Sequence, residues 1–412
     1  MGRFLSVSSL YEPRPRIDLI FFNAGGGHRA SAAGLKSILE QQRRPWDAQT
    51  LNLREVLEPI DFIRRLTRVR VEDFYNRLLR HGLTIGTGPM LRVVQTLIRR
   101  MHAQATMMLE RHWTENPPDL VVSLIPNFNR EIFEGLRSAD RLLGRQPTPV
   151  VTILTDLADY PPHFWIERQE QYLICGTEAA MNQALAMGHR RERVFRTSGM
   201  IVRPEFYSRP PIDRESERMR LGLRPELPTG LVMFGGYGSR QMLTIAKRVA
   251  AAGLKTQLIF MCGSNQQLRQ RIMELELPFP FHVEGFTDDI PRFMQMADYF
   301  VGKPGPGSIS EALVMGLPVI VERNSWTMVQ ERFNTDWIVE NQLGVVLRTF
   351  AEVAAGILPM LDRDRLASFR EHVRAVNNRA IFEIPEILAR LLQNRLVPAP
   401  RFAPAASSEL CA

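Results

Sequence analysis

From Ile17 onward, short apolar runs alternate with stretches in which apolar residues recur every three or four positions. The runs Ile17–Asn23, Asp119–Ile125, Thr148–Leu157 and Gln171–Gly176 are rich in β-branched residues and end on turn residues, as buried parallel strands do. A glycine cluster follows the first run, and a helical pattern spans Ser31 to Gln42. The segment Thr197–Phe206, with Gly199 and Pro204, reads as a linker, after which the pattern restarts. Gly230–Gly236, Leu254–Gly263, Phe281–Phe286, Ala297–Gly302 and Leu317–Glu322 are the second set of strands. Helical stretches fall between them, one from about Arg240 to Ala252 and one over Ser308–Gly316. Strands alternating with helices in both halves predict two α/β domains, each with a parallel sheet of Rossmann type. The expected boundaries are 1–198 and 199–395, with a Pro/Ala/Ser-rich tail, 396–412, that carries too little apolar surface to order.

Composition narrows the setting. The chain has 412 residues, 45% of them hydrophobic, enough for two cores. The net charge is +8, and only Lys36, Lys247, Lys255 and Lys303 among the cations are not arginine. Such a surface favours anionic partners. The three cysteines, Cys175, Cys262 and Cys411, lie far apart without metal-ligand spacing, which suits a reducing cytoplasm. No run approaches about 18 apolar residues, and the N-terminus lacks a signal-peptide core. Membrane contact is therefore expected to be peripheral.

Two glycine-rich turns carry the chemistry. Asn23-Ala24-Gly25-Gly26-Gly27-His28-Arg29 follows the first strand; Gly26 and Gly27 allow close approach of a ligand to backbone. His28, with an ordinary pKa near neutrality, is a candidate general base or, equally, a helix-start residue. Gly302-Lys303-Pro304-Gly305-Pro306-Gly307-Ser308 leads into a second helix whose N–H groups suit a diphosphate. Glu311, one turn inside, can take both hydroxyls of a ribose or close a capping box with Ser308. Gln330 and Glu331 follow the strand Leu317–Glu322 and place an amide beside a carboxylate at the ligand-binding edge of the sheet.

Together these stretches resemble the glycosyltransferase superfamily of diacylglycerol galactosyl- and glucosyltransferases and of the enzyme that glycosylates lipid-linked muramyl peptide. The resemblance rests on GGGHRASA at Gly25–Ala32, TDL at Thr155–Leu157, and GKPGPGSISEAL at Gly302–Leu313 with its following GLPVIV. It covers roughly residues 17–345. It implies a GT-B fold of two facing Rossmann-like domains, lipid bound by the first and UDP-sugar by the second. His28 then matches the family's base, with Asp156 orienting the site or competing for that role. Glu311 matches the ribose-binding acid, and Gln330 with Glu331 the pair that holds the hexose. Gly305, Gly307 and Ser308 match the phosphate turn, beside which Lys303 is the nearest cation. Phe286 lies where the uracil is held, and Gly236 stands in a reduced glycine turn, Gly235-Gly236-Tyr237-Gly238. Pro161 stands where plant-type members have His, with His163 two residues on.

The expected reaction is inverting transfer of galactose or glucose from its UDP-sugar to diacylglycerol, with no obligatory metal or other cofactor. The Asp362-Arg363-Asp364 stretch has bare DxD form but reads as a helix start. Arg54–Arg111 holds eleven arginines against six acids among apolar residues at helical steps, which suits an anionic membrane surface at the inner face of the plasma membrane. No aromatic interleaving accompanies these cations, so nucleic acid is not an expected partner. The alternatives are transfer to a lipid-linked cell-wall precursor, a UDP-GlcNAc 2-epimerase, and a non-catalytic nucleotide-binding protein at the membrane.

Overall fold

The computed structural model describes residues 14–23, 27–57, 87–325 and 327–396. Two six-stranded sheets, parallel throughout, organise the chain. The first contains β1 (Arg16–Phe21), β2 (Asp47–Asn52), β3 (Leu120–Ser123), β4 (Val150–Ile153), β5 (Tyr172–Cys175) and β6 (Val194–Arg196), in the order β2-β1-β3-β4-β5-β6. The second contains β7 (Thr229–Met233), β8 (Gln257–Met261), β9 (Phe281–Glu284), β10 (Tyr299–Gly302), β11 (Val319–Glu322) and β12 (Gly344–Leu347), in the order β12-β11-β10-β7-β8-β9. In each sheet the strand order reverses once, between β1 and β3 and between β7 and β10. Open α/β sheets bind ligands in the crevice beyond the carboxyl ends of the strands at such a reversal. The predicted glycine turn after β10 sits there, and His28, which follows the glycines after β1, lies at the start of the helix beyond that strand.

The central strands are apolar on both faces because helices cover both. Residues of β3, β4, β7, β8 and β10 are all buried. Helix α1 (Gly27–Gln41) turns Ala32, Leu35, Ile38 and Leu39 onto the first sheet. Helix α2 (Thr87–Glu115) lies against α3 (Asn129–Leu142), burying Ala105, Leu109 and Trp113. His102 joins them, 2.8 Å from Glu131 and 2.7 Å from Glu134. Within the Arg-rich stretch, residues 58–86 lie outside the described residues, while Arg99, Arg100 and Arg111 point outward from α2. No helix among the described residues is long and apolar enough to cross a membrane.

In the second half, α4 (Pro306–Val314) follows β10 and α5 (Val329–Glu340) follows β11. The last helix, α6 (Ala380–Leu396), belongs by sequence to the second half but packs on the first. It crosses back and buries Ile381, Ile384, Leu388, Leu391 and Leu392 in the first core, beside Leu35 and Leu39. Its apolar stripe needs a partner surface, and α1 supplies one. The two chain crossings are fastened together where they pass. Ser198 bonds both carboxylate oxygens of Glu383, through N at 2.8 Å and Oγ at 2.6 Å, and Asn378 donates to the Met200 carbonyl at 2.9 Å. A side chain at Gly199 would strike Asn378, which leaves glycine the residue that fits. The expected tail falls outside the described residues from 397 on.

Candidate active site in the interdomain cleft

On the first domain the site is built by α1 and by the loop after β4. The helix begins at Gly27, earlier than the expected Ser31, so His28 stands in its first turn rather than in the glycine turn. Gly26 lies outside the described residues, and Gly27 faces open space. His28 Nδ1 is 3.2 Å from Thr155 Oγ1, and its ring packs on Trp165 with centroids 5.8 Å apart. Burial pulls its pKa down to about 4, against a raising hydrogen bond with the Leu124 backbone. The imidazole is neutral at pH 7 and a weaker base than a free histidine.

Asp156 follows Thr155 and is 8% exposed. Its Oδ2 accepts the Trp165 indole N–H at 2.8 Å. Burial pushes this carboxyl up to about 7; the Trp165 bond lowers it, Glu331 raises it and Lys303 lowers it. Those last two residues belong to the second domain, so Asp156 faces across the cleft. The loop carrying Trp165 is shaped by Asp159, whose buried carboxylate accepts the backbone N–H of His163 at 3.1 Å and of Trp165 at 2.6 Å. Tyr160 from this loop meets Phe333 of α5, ring centroids 5.9 Å apart, closing one side of the cleft.

On the second domain, α4 starts at Pro306 with Gly305 as its N-cap and no side-chain cap. This corrects the capping-box alternative. Pro306 fits the first helical position, where its missing N–H costs nothing, so Ser308 lies too far inside to cap. Gly307 faces open space at the head of the helix. Glu311 is half-buried by surface area, yet protein crowds it closely enough that burial pushes its carboxyl up to about 7; Arg203 lowers it and Glu205 raises it.

Gln330 and Glu331 occupy the first turn of α5. Glu331 is not solvated there: it is 5% exposed and paired with Lys303 at 2.9 Å. Gln330 is half-buried, its amide near Met328 Sδ at 3.5 Å. The buried Asn334 on α5 donates to the Pro304 carbonyl at 2.8 Å, which locks the glycine turn to α5. Gly236 follows β7 and borders open space; Gly263 approaches its carbonyl so closely, at φ +58°, that a Cβ would lie 2.2 Å from it. Phe286, just beyond β9, is 67% exposed.

The cleft thus gathers His28, Asp156, Lys303 and Glu331, with Glu311 at the head of α4 and Phe286 at the mouth of the second sheet. Sequence reading missed Trp165, Asp159 and Arg203. The aromatic run Tyr160–Trp165 so soon after Asp156 was the available signal for the first; Arg203, in the linker, offered none. Asp362 accepts the Arg365 N–H at 2.9 Å and caps a helix. Among the described residues no cluster of His, Cys, Asp and Glu has the form of a metal site.

Comparison with known proteins agrees with this layout. Residues 231–324 match the glycosyltransferase family 28 C-terminal domain. A probable monogalactosyldiacylglycerol synthase of Nicotiana tabacum is 26% identical over 408 residues, 93% of this chain and 72% of that protein. The monogalactosyldiacylglycerol synthase of Spinacia oleracea is 27% identical over 356 residues, 83% of this chain but 65% of that protein. The chain therefore spans about two-thirds of these relatives' length. Among solved structures, MurG of Acinetobacter baumannii superposes with a TM-score of 0.57 at 14% identity, covering 92% of this chain and all of that one. MnaA of S. aureus, solved with UDP, gives 0.54 at 14% identity, covering 92% of this chain and 97% of that one. Both share the GT-B arrangement of two facing Rossmann-like domains.

Proposed function

We propose that this chain, which matches the glycosyltransferase family 28 C-terminal domain over residues 231–324 and is similar to monogalactosyldiacylglycerol synthases, transfers a hexose from a UDP-sugar to the free hydroxyl of diacylglycerol. The observation that carries the reading is that the Lys303–Glu331 pair of the second domain lies within electrostatic reach of the buried Asp156 of the first. It sets a proton acceptor from the first domain against sugar-binding groups from the second. The diphosphate of the donor rests on the N-terminus of α4, where a helix's first N–H groups have no intrahelical partner and Gly307 leaves space for a ligand, and these groups stabilise the charge that develops on leaving UDP. Glu311 takes the ribose hydroxyls, Gln330 and Glu331 the hexose, and Phe286 and Gly236 border the nucleoside.

The lipid hydroxyl attacks the anomeric carbon from the first domain's side as UDP departs from the opposite face, so an α-linked donor gives a β-glycoside. A general base works best with a pKa near the working pH. Asp156, raised to about 7, meets that condition; His28, lowered to about 4, does not. Asp156 is accordingly the proton acceptor and neutral His28 the group that orients the hydroxyl. The reaction runs without an obligatory metal, and the acceptor reaches the cleft from an anionic membrane surface at the inner face of the plasma membrane. Labelled UDP-galactose and UDP-glucose, supplied with mixed lipids with and without EDTA, test this. Labelled glycosyl diacylglycerol, formed equally with EDTA, is the expected product. Label in a lipid-linked cell-wall precursor, or epimerised UDP-GlcNAc without lipid product, would replace the reading.

A further inference from the structure

The end of the second sheet opposite the cleft carries more positive charge than the protein neutralises. Asp298 immediately precedes β10, whereas Lys303 follows it, so the strand separates this region from the proposed donor site. Arg214 Nη2 and Arg370 Nη2 each donate to Asp298 Oδ1 at 2.9 Å, and Arg218 Nη2 donates to Oδ2 at 2.7 Å. The Thr229 backbone N–H takes Oδ2 as well, at 2.9 Å. One carboxylate therefore serves three guanidiniums and has no lone pair to spare for a fourth. Glu217, on the helix that bears Arg214 and Arg218, is held by Arg292 and Arg220 instead.

A groove of about 330 Å³ opens beside this cluster, lined by Arg214, Arg370 and Arg374 with Gln295, Met315 and Gly316. Arg214 Nη2 also reaches the Ala297 carbonyl at 2.9 Å, which holds the guanidinium at the edge of the groove. Arg374 stands exposed on the same helix as Arg370, one turn on. Like charges crowded into one groove repel, and a multiply charged oxyanion bound among them removes that penalty. Arginine's planar fork matches phosphate oxygens two at a time. The volume lies at the small end of ligand pockets and is ample for a phosphoryl group.

We propose that this groove is a phosphate-binding site, separate from the catalytic cleft, in which Arg214, Arg370 and Arg374 grip a phosphoryl group borne by a phospholipid headgroup or by a soluble phosphate. The site goes beyond the transferase reading and does not depend on it. The test uses the full chain, the single variant Arg374→Gln, and the double variant Arg370→Gln with Arg374→Gln. Inorganic phosphate is titrated by calorimetry, and flotation is compared on phosphatidylcholine vesicles with and without phosphatidylglycerol. Each lost arginine should weaken phosphate binding on the order of tenfold. Arg374 is exposed, so its single variant keeps the fold and the measurement meaningful. Weakened phosphate binding together with reduced phosphatidylglycerol-dependent flotation supports the site with a lipid headgroup as its ligand. Weakened phosphate binding with unchanged flotation supports it with a soluble ligand. Equal phosphate affinity in all three proteins overturns it.

Discussion

Trp165 donates its indole N–H to Asp156 at 2.8 Å while its ring lies 5.8 Å, centroid to centroid, from His28. One side chain thus fixes the carboxylate and supports the imidazole, and it is itself held because Asp159 binds its backbone N–H. The two proton-handling candidates are coupled through it.

The pH dependence of turnover separates them. If Asp156 accepts the proton, kcat/KM rises with pH through about 7, where that carboxyl ionises. If His28 does, the acid limb falls near 4. The expected limb is the one near 7. Asp156→Asn should lower kcat by about 10²–10⁴-fold, the usual worth of a positioned base, with UDP affinity nearly unchanged. His28→Ala should cost less. A pH profile flat down to 5, with Asp156→Asn fully active, would move the role to His28.

Trp165→Phe keeps the packing surface and deletes the N–H. The bond it removes holds the Asp156 pKa down, so the acid limb should shift to higher pH and activity at pH 7 should fall. A purely structural role for Trp165 would lower activity or stability without moving the limb. Activity against pH for the folded variant reads this directly.

Glu311→Ala tests the donor site. With α4 capped by Gly305 rather than by a side chain, Glu311 has no capping role to lose. UDP binding should weaken by on the order of 1–3 kcal/mol, the cost of lost charged hydrogen bonds. Calorimetry with UDP is the measurement. Because the Glu311 carboxyl is raised to about 7, UDP affinity of the parent protein should also strengthen as pH rises through that value. Unchanged affinity in the variant would remove Glu311 from the nucleotide site.

Asp156 also has a consequence for stability. Its folded pKa, about 7, lies above its unfolded value, so the folded state holds the proton more tightly. Such a carboxyl destabilises the fold progressively as pH rises from near 4 through 7, at about 1.4 kcal/mol per unit of pKa difference. Asp156→Asn should therefore raise the unfolding temperature at pH 8, and the gain should shrink as pH falls toward 4. Thermal unfolding across that range checks it; a variant less stable than its parent at pH 8 contradicts the electrostatic account.

Much of this architecture was legible along the chain. The interior strands β1, β3, β4, β5, β7, β8, β10 and β11 are mostly apolar on both faces, and such runs stand out between turn residues. β2, β6 and β12 left no comparable mark. Each lies at the edge of its sheet, pairs on one side only, and shows polar or half-exposed positions such as those of Asp47–Asn52. Glycines and Pro306 likewise announced where backbone must turn tightly, which placed His28, Lys303 and Glu311 near the ends of strands.

Sequence by itself determined the two parallel α/β halves and the turns at their binding edges, because those depend on periodicity and on the steric limits of Gly and Pro over a few adjacent residues. Only the tertiary structure decided that Ala380–Leu396 completes the first core, that Glu331 is buried against Lys303, and that Trp165 ties Asp156 to His28. It also raised the Asp156 carboxyl to about 7 and lowered the His28 imidazole to about 4. Burial and the field of distant charges set a pKa, and the groups that set that of Asp156 lie near positions 165, 303 and 331, brought together only when the two sheets face each other.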